Sequence, residues 1–206
     1  MALERIPLFP LEVVLLPGTP LPLHIFEPRY RLMVKHCLEH HSLFGVVLAR
    51  SESIAEVGCG AEIVEIVKKY DDGRMDILTI GRAPFRVSEV FRDQPYLEGA
   101  VEFLEEDTSD GPLETRRSLQ ELYEKCHKLI YGSESKPTEM TEGYSLTFQI
   151  ATELPLDLDY KQELLEIRAE SARQERLLEL LNQWLPKLAH VERVRAKAVG
   201  NGHGFQ

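Results

Sequence analysis

Between residues 7 and 22 stand Pro7, Pro10, Pro17, Pro20 and Pro22, each lacking a backbone N–H and each with φ held at about −65°. A stretch so punctuated forms no helix and cannot be a central strand throughout. It is expected to weave along the edge of a sheet and to fix the path of the chain into it. The apolar runs around the prolines, at 13–16 and 21–25, and a later run at 43–49 are short and cut by Pro or Gly, which is a β pattern. One helix interrupts it. Tyr30, Met33, Val34, Cys37, Leu38 and His41 recur at helical spacing, and Pro28 suits the first helical position, where a missing N–H costs nothing.

Residues 61–70 and 75–80 read as a hairpin joined by Asp71-Asp72-Gly73-Arg74, because Asp-Gly supplies the positive φ of a tight turn. Two alternating strands follow Gly81, one burying Phe85, Val87 and Phe91, the other Leu97, Gly99, Val101 and Phe103. About six short strands with one helix predict a small barrel, closed or nearly so. Past Asp110-Gly111-Pro112 the apolar period lengthens to about 3.6 residues. Leu119, Leu122, Tyr123, Cys126 and Ile130 form a helical stripe that Gly132 and a polar linker at 133–137 end. Three further helices are expected: one over 141–153, one that Asp157 caps, and one that Ser171 and Gln174 open as a capping box and Pro186 ends or kinks. The predicted fold class is α+β, with a β-barrel subdomain over residues 1–108 and a bundle of four or nearly four helices over 109–206.

No window of 18 apolar residues occurs, and Pro7 and Pro10 break the N-terminus before a signal-like segment can form. The chain is expected to be neither membrane-spanning nor secreted. Cys37, Cys59 and Cys126 are odd in number, far apart and without a C-x-x-C pair, as expected of reduced thiols in the cytoplasm. A net charge of −10 repels phosphate backbones and weighs against nucleic acid. The charge is uneven: residues 98–114 hold seven acids and no base, while 187–206 hold four bases and one acid.

Chemistry of the common kinds is missing. There is no Gly-Lys of a phosphate-cradling loop, no G-x-S-x-G, no H-E-x-x-H and no G-x-G-x-x-G. In His36-Cys37-Leu38-Glu39-His40-His41, His36 and His40 stand at i, i+4, as do Cys37 and His41. That spacing lets two side chains share a divalent metal, although a solvated helix end with cationic His against the dipole explains it as well. Asp71, Asp72 and Asp76, and Glu105-Glu106-Asp107, are carboxylate groups that turn and linker positions account for. No cofactor and no bound metal is expected.

The N-terminal string Ile6-Pro7-Leu8-Phe9-Pro10-Leu11, Val13-Val14-Leu15-Leu16-Pro17-Gly18 and Leu21-Pro22-Leu23-His24-Ile25-Phe26-Glu27-Pro28-Arg29-Tyr30-Arg31 resembles the opening signature of the Lon protease N-terminal domain family. Phe44-Gly45-Val46-Val47-Leu48, Val57-Gly58 before Ala61-Glu62-Ile63, Gly81-Arg82 before Phe85-Arg86-Val87, Leu154-Pro155-Leu156, Lys161-Gln162, Leu164-Leu165-Glu166 and Arg176-Leu177 resemble its later landmarks in order. Gly58-Cys59 departs from the family's usual Gly-Thr, and Gly81-Arg82-Ala83-Pro84-Phe85 stands where it usually has a compact G-x-x-R-F.

The resemblance implies a PUA-like β-barrel with one inserted helix followed by a helical bundle, the part of Lon that engages unfolded or tagged proteins. It implies no catalysis, since the Lon ATPase and Ser-Lys protease domains would have to lie beyond Gln206, and it points to a standalone member. Expected partners are unfolded or extended protein segments, or a protease or chaperone acting in trans, with no membrane and with nucleic acid disfavoured. Such a module would use an uncovered strand edge and an adjoining apolar groove between barrel and bundle. Glu27 and Arg29 flank the helix start at Pro28, and Phe26 and Tyr30 are the apolar contacts expected if the signature itself binds. Two alternatives stand beside this reading: a PUA-like RNA-binding protein using Arg82, Arg86 and Arg92, and a metal-dependent enzyme using the His36 to His41 cluster.

Overall fold

The computed structural model describes residues 3–51, 53–109, 111–132, 134–137, 139–140 and 144–200, with side chains as far as 194. In chain order the elements are β1 (Glu4–Leu11), β2 (Pro20–Ile25), α1 (Pro28–His40), β3 (Phe44–Leu48), β4 (Val57–Lys69), β5 (Met75–Phe91), β6 (Leu97–Phe103), α2 (Leu113–Tyr131), α3 (Leu146–Glu153), α4 (Leu158–Glu166) and α5 (Glu170–Gly200). The fold is α+β, with one six-stranded sheet and five helices. The chain forms two compact units: residues 1–106 with 155–168, and residues 107–154 with 169–206.

In the first unit the strand order is β2-β5-β4-β3-β1-β6, and β5 pairs with β6 as well. The ladder β5-β4-β3-β1-β6 therefore returns to β5, leaving β2 outside the ring. All the pairings are antiparallel except β1 with β3. Ile6, Leu8, Val47, Phe85 and Val101 meet in one core cluster, each such burial stabilising by about 1.5–3 kcal/mol. Gly45 is forced by that cluster, since a Cβ there would overlap the Phe85 ring and sit 2.9 Å from Leu8 Cδ2.

The proline-rich segment follows its expected edge path only in β2, the terminal strand of the order, which carries Pro20 and Pro22. β1 lies inside the strand order, but it hands over at Leu8, pairing with β6 over Glu4–Leu8 and with β3 over Leu8–Leu11. Pro7 thus has only β6 alongside and Pro10 only β3, so each can turn its missing N–H toward a side without a ladder. Residues 13–16 form no strand. Val14, Leu15 and Leu16 are buried without one. Gly81 does not divide two strands either, because β5 runs through it for 17 residues.

α1 has Pro28 in its first turn and buries Tyr30, Met33, Val34 and Cys37 of the expected stripe, while Leu38 is half-buried and His41 exposed. His41 ends it in the left-handed region at φ 50°. The single cut expected at 108 misses a return of the chain. α4 packs on β4, and Gln162 Nε2 donates to Val57 O at 3.0 Å, so residues 155–168 belong with the strands.

Among the described residues the second unit consequently holds three helices, α2, α3 and α5, rather than four. α5 packs against both α2 and α3. α3 starts at Leu146 behind Ser145, whose Oγ accepts from Phe148 N at 3.2 Å; the expected start at 141 lies outside the described residues. Asp157 does stand at the N-cap of α4, without a side-chain cap bond. The expected capping box at Ser171 is not formed, because α5 already begins at Glu170 and Gln174 is buried, donating to Glu170 Oε1 at 3.3 Å. Pro186 lies within α5 and does not end it.

Candidate binding groove

The signature residues divide between surface and core. Phe26 is 58 % exposed, and its ring lies against His24 with centroids 5.9 Å apart. Glu27 occupies the N-cap of α1 without capping it, and its Oε2 instead accepts from Arg29 Nε at 2.8 Å. The Arg29 guanidinium lies 4.6 Å from the centre of the Tyr30 ring. Tyr30 is only 9 % exposed and packs on Phe9, centroids 4.1 Å apart. It is a core residue, and of the two aromatic rings only Phe26 faces solvent.

Beside this corner, α1 and the β4–β5 hairpin enclose a groove of about 510 Å³. Pro28, Leu32, Leu38 and Met75 supply apolar walls, and Arg31, Lys35, Glu39, Lys69 and Gly73 complete the lining. Leu32 is 52 % exposed, on the flank of α1 away from the buried stripe. The two walls are joined by Arg31 Nη1, which donates to Asp72 O at 2.6 Å. Gly73 closes the turn at φ +86°, which favours glycine, and a Cβ there would stand 2.7 Å from Arg31 Nη1, so the guanidinium would have to shift. The Arg74 backbone N–H and guanidinium, with Arg31 near, hold the Asp72 carboxyl below its ordinary range.

The register that sets His24 opposite Asp76 builds a polar cluster on the same hairpin. His24 Nδ1 lies 2.5 Å from Asp76 Oδ1, and Tyr70 OH donates to Asp76 Oδ2 at 2.8 Å. The His24 contact, then the Tyr70 one, lower the Asp76 carboxyl. Residues 52 positions apart give no local pattern, so spacing alone hides this cluster. A signal did exist in the alternation of residues 20–25 against 75–80, which fixes the register once the two strands are paired.

The free strand edges are poorly suited to adding another strand. Gly81 N donates to Thr19 O at 3.0 Å, which places the odd-numbered residues of the β2 register toward β5. Pro20 and Pro22 therefore face its outer edge and offer no N–H there. β4 pairs with β3 only at Cys59–Ala61, and beyond that its outer edge carries two register shifts, around Val64 and Val67. Bulges of this kind twist an edge away from partners.

The remaining expected sites are accounted for locally. His36 and His40 stack with centroids 4.3 Å apart, His40 Nδ1 lies 2.9 Å from His36 O, and Cys37 is buried with its thiol pushed up to about 11 by desolvation. No group of three or more His, Cys, Asp or Glu able to hold a metal occurs among the described residues. Arg82 lies 2.5 Å from Glu62 and Arg86 3.7 Å from Glu56, so acids stand beside two of the three cations expected of an RNA-binding strand. Ser109 holds the Asp107 carboxyl low, and Glu105 O accepts from Arg168 Nε at 2.9 Å. A second hollow of about 620 Å³, lined by 48–50 and 157–160, carries an Arg50–Asp159 pair at 2.9 Å.

Comparison with known proteins bears on the family and the fold. Residues 5–183 match the family model of the ATP-dependent protease La (LON) substrate-binding domain. Over 196 residues the chain is 28 % identical to Lon protease 2 of Myxococcus xanthus, an alignment covering 87 % of this chain and 24 % of that protein. Lon protease of Parabacteroides distasonis is 28 % identical over 201 residues, again 87 % and 24 %. The chain thus spans about a quarter of the length of these relatives. The crystal structure of the Lon N-terminal domain protein from Xanthomonas campestris superposes with a TM-score of 0.70 at 28 % identity, covering 85 % of this chain and 98 % of that one. The N-terminal domain of Mycobacterium avium complex Lon protease has the same fold, with a TM-score of 0.61 at 14 % identity, covering 89 % and 98 %.

Proposed function

The chain belongs to the Lon substrate-binding domain family, and from that premise we propose that it is a non-catalytic module that binds unfolded or extended polypeptide through the groove beside α1. One observation carries the reading: an exposed leucine, Leu32, stands over an apolar groove whose walls are fixed by the Arg31–Asp72 bond. Apolar side chains of a partner gain free energy there by leaving water, and a wall that does not have to be ordered on binding lowers the cost of association. The closed ladder of β5-β4-β3-β1-β6 supports a PUA-like barrel as the scaffold. With both outer edges blunted by prolines or bulges, affinity comes from side-chain burial rather than from strand addition.

A protease or chaperone acting in trans is the complementary partner in this proposal. A cytoplasmic location belongs to it too, supported by three buried, free thiols; none of the described helices is long and apolar enough to cross a membrane. The test is titration of the full chain with a permanently unfolded model protein by calorimetry. Binding is expected, and Leu32→Asp is expected to weaken it about tenfold or more, as a charge set in an apolar contact costs well over 1 kcal/mol. Equal affinity of the variant and the parent, with circular dichroism unchanged, would overturn the groove as the site.

A further inference from the structure

The groove is apolar in its walls but not neutral at its rim. Arg31, Lys35 and Lys69 line it against a single acid, Glu39, in a chain whose net charge is −10. Lys35 and Glu39 are 3.7 Å apart and both well exposed, a pairing that neutralises little. Arg31 donates to a carbonyl, Asp72 O, and stands near the Asp72 carboxylate without forming an ion pair with it. The Asp72 carboxylate is engaged by Arg74 at 2.7 Å. Neither Arg31 nor Lys69 has an acid within ion-pair distance among the described residues. Two of these cations project from α1 one turn apart, and the third comes from the facing strand, so the positive charge brackets the apolar walls.

We propose that the groove selects extended segments in which apolar side chains are flanked by Asp or Glu, and discriminates against the same apolar segments flanked by Lys or Arg. The proposal rests on the reading of the groove as a polypeptide-binding site. The apolar walls supply most of the affinity, and the rim supplies preference and salt dependence. Exposed charge pairs are individually weak, so three cations together give a preference of about three- to tenfold at low salt. The rest of this acidic surface repels an acidic segment, which confines the attraction to the groove.

The test uses the full chain and three fluorescein-labelled peptides of one length that share a single apolar core and carry acidic, uncharged or basic flanks, titrated by anisotropy at low and moderate salt. The acidic peptide is expected to bind tightest and the basic one weakest. The gap should narrow as salt rises and should reverse in the Lys35→Glu, Lys69→Glu double variant. Leu32→Asp should weaken all three. Equal affinities for the three peptides, with Leu32→Asp still weakening each, would overturn the charge selection and leave the groove as a polypeptide site. No binding of any peptide would overturn both. A charge preference indifferent to Leu32→Asp would place the contact elsewhere and defeat the proposal. So would sedimentation showing a dimer of the chain alone that Leu32→Asp dissociates, because the groove would then be filled by a second copy.

Discussion

Glu170 and Arg173 are 3 % and 0 % exposed and lie 2.9 Å apart in the helical unit. A buried ion pair is expensive to desolvate and is sustained only when further hydrogen bonds satisfy it. Glu170 accepts from Ser145 Oγ at 2.6 Å, Thr147 Oγ1 at 2.9 Å and Thr147 N at 3.2 Å, while the Arg173 guanidinium lies 4.2 Å from the Phe148 ring centre. The carboxylate thereby fastens the start of α5 to the start of α3. Burial pushes the Glu170 carboxyl up, but the Ser145 bond, the Arg173 charge and the Thr147 bond outweigh it and leave it below its ordinary value. A lowered folded value means that the stabilisation is fully present above the unfolded pKa, about 4.3, and is lost as pH falls through the lower folded one. Glu170→Ala is expected to cost about 3–5 kcal/mol by removing the buried carboxylate that Arg173, Ser145 and Thr147 share. The readout is urea unfolding followed at Trp184, the sole tryptophan, which lies on α5. Glu170→Gln should in addition remove this group's share of the loss of stability below pH 4.3. A cost under 1 kcal/mol for the alanine variant would contradict this account.

Among the elements, the β4–β5 turn has the most consequence for the proposed function. Asp71-Asp72-Gly73-Arg74 was legible as a tight turn because only a residue tolerant of positive φ closes it, and Gly73 does so at +86°. Gly73→Ala is expected to cost about 1–2 kcal/mol from the left-handed backbone alone. It should also displace Arg31 from Asp72 O, so that thermal stability and polypeptide affinity fall together. Retained affinity at reduced stability would separate the turn from the groove. The helices of both units were legible from their stripes, and α1 was read nearly residue by residue, because burial on one face writes itself into the 3.6-residue period. The groove was not legible. Leu32 lies off the stripe, and its partners Lys69 and Met75 come from another part of the chain, so nothing local marks them. Strand limits also escaped: β1 accommodates Pro7 and Pro10 by changing neighbours at Leu8, a device that depends on β3 and β6 rather than on the prolines.

At the scale of the molecule, the two compact units are not two consecutive segments. The chain leaves the strands at residue 106, returns for 155–168 and leaves again. Composition hinted at one boundary, where the acidic run at 98–114 meets the first long helix. It could not reveal the return, because α4 has the same amphipathic pattern as helices of the other unit and differs only in packing on β4. The family match extends from residue 5 to 183 and so includes this return. The proposed function has polypeptide held by the wall of α1 and the hairpin facing it. Hydrogen exchange read by mass spectrometry, with the full chain free and then saturated with an unfolded model protein, tests that claim most directly. It predicts slowed exchange in residues 28–40 and 69–75 on binding. Exchange there unchanged at saturation, with protection confined to other segments, would contradict it.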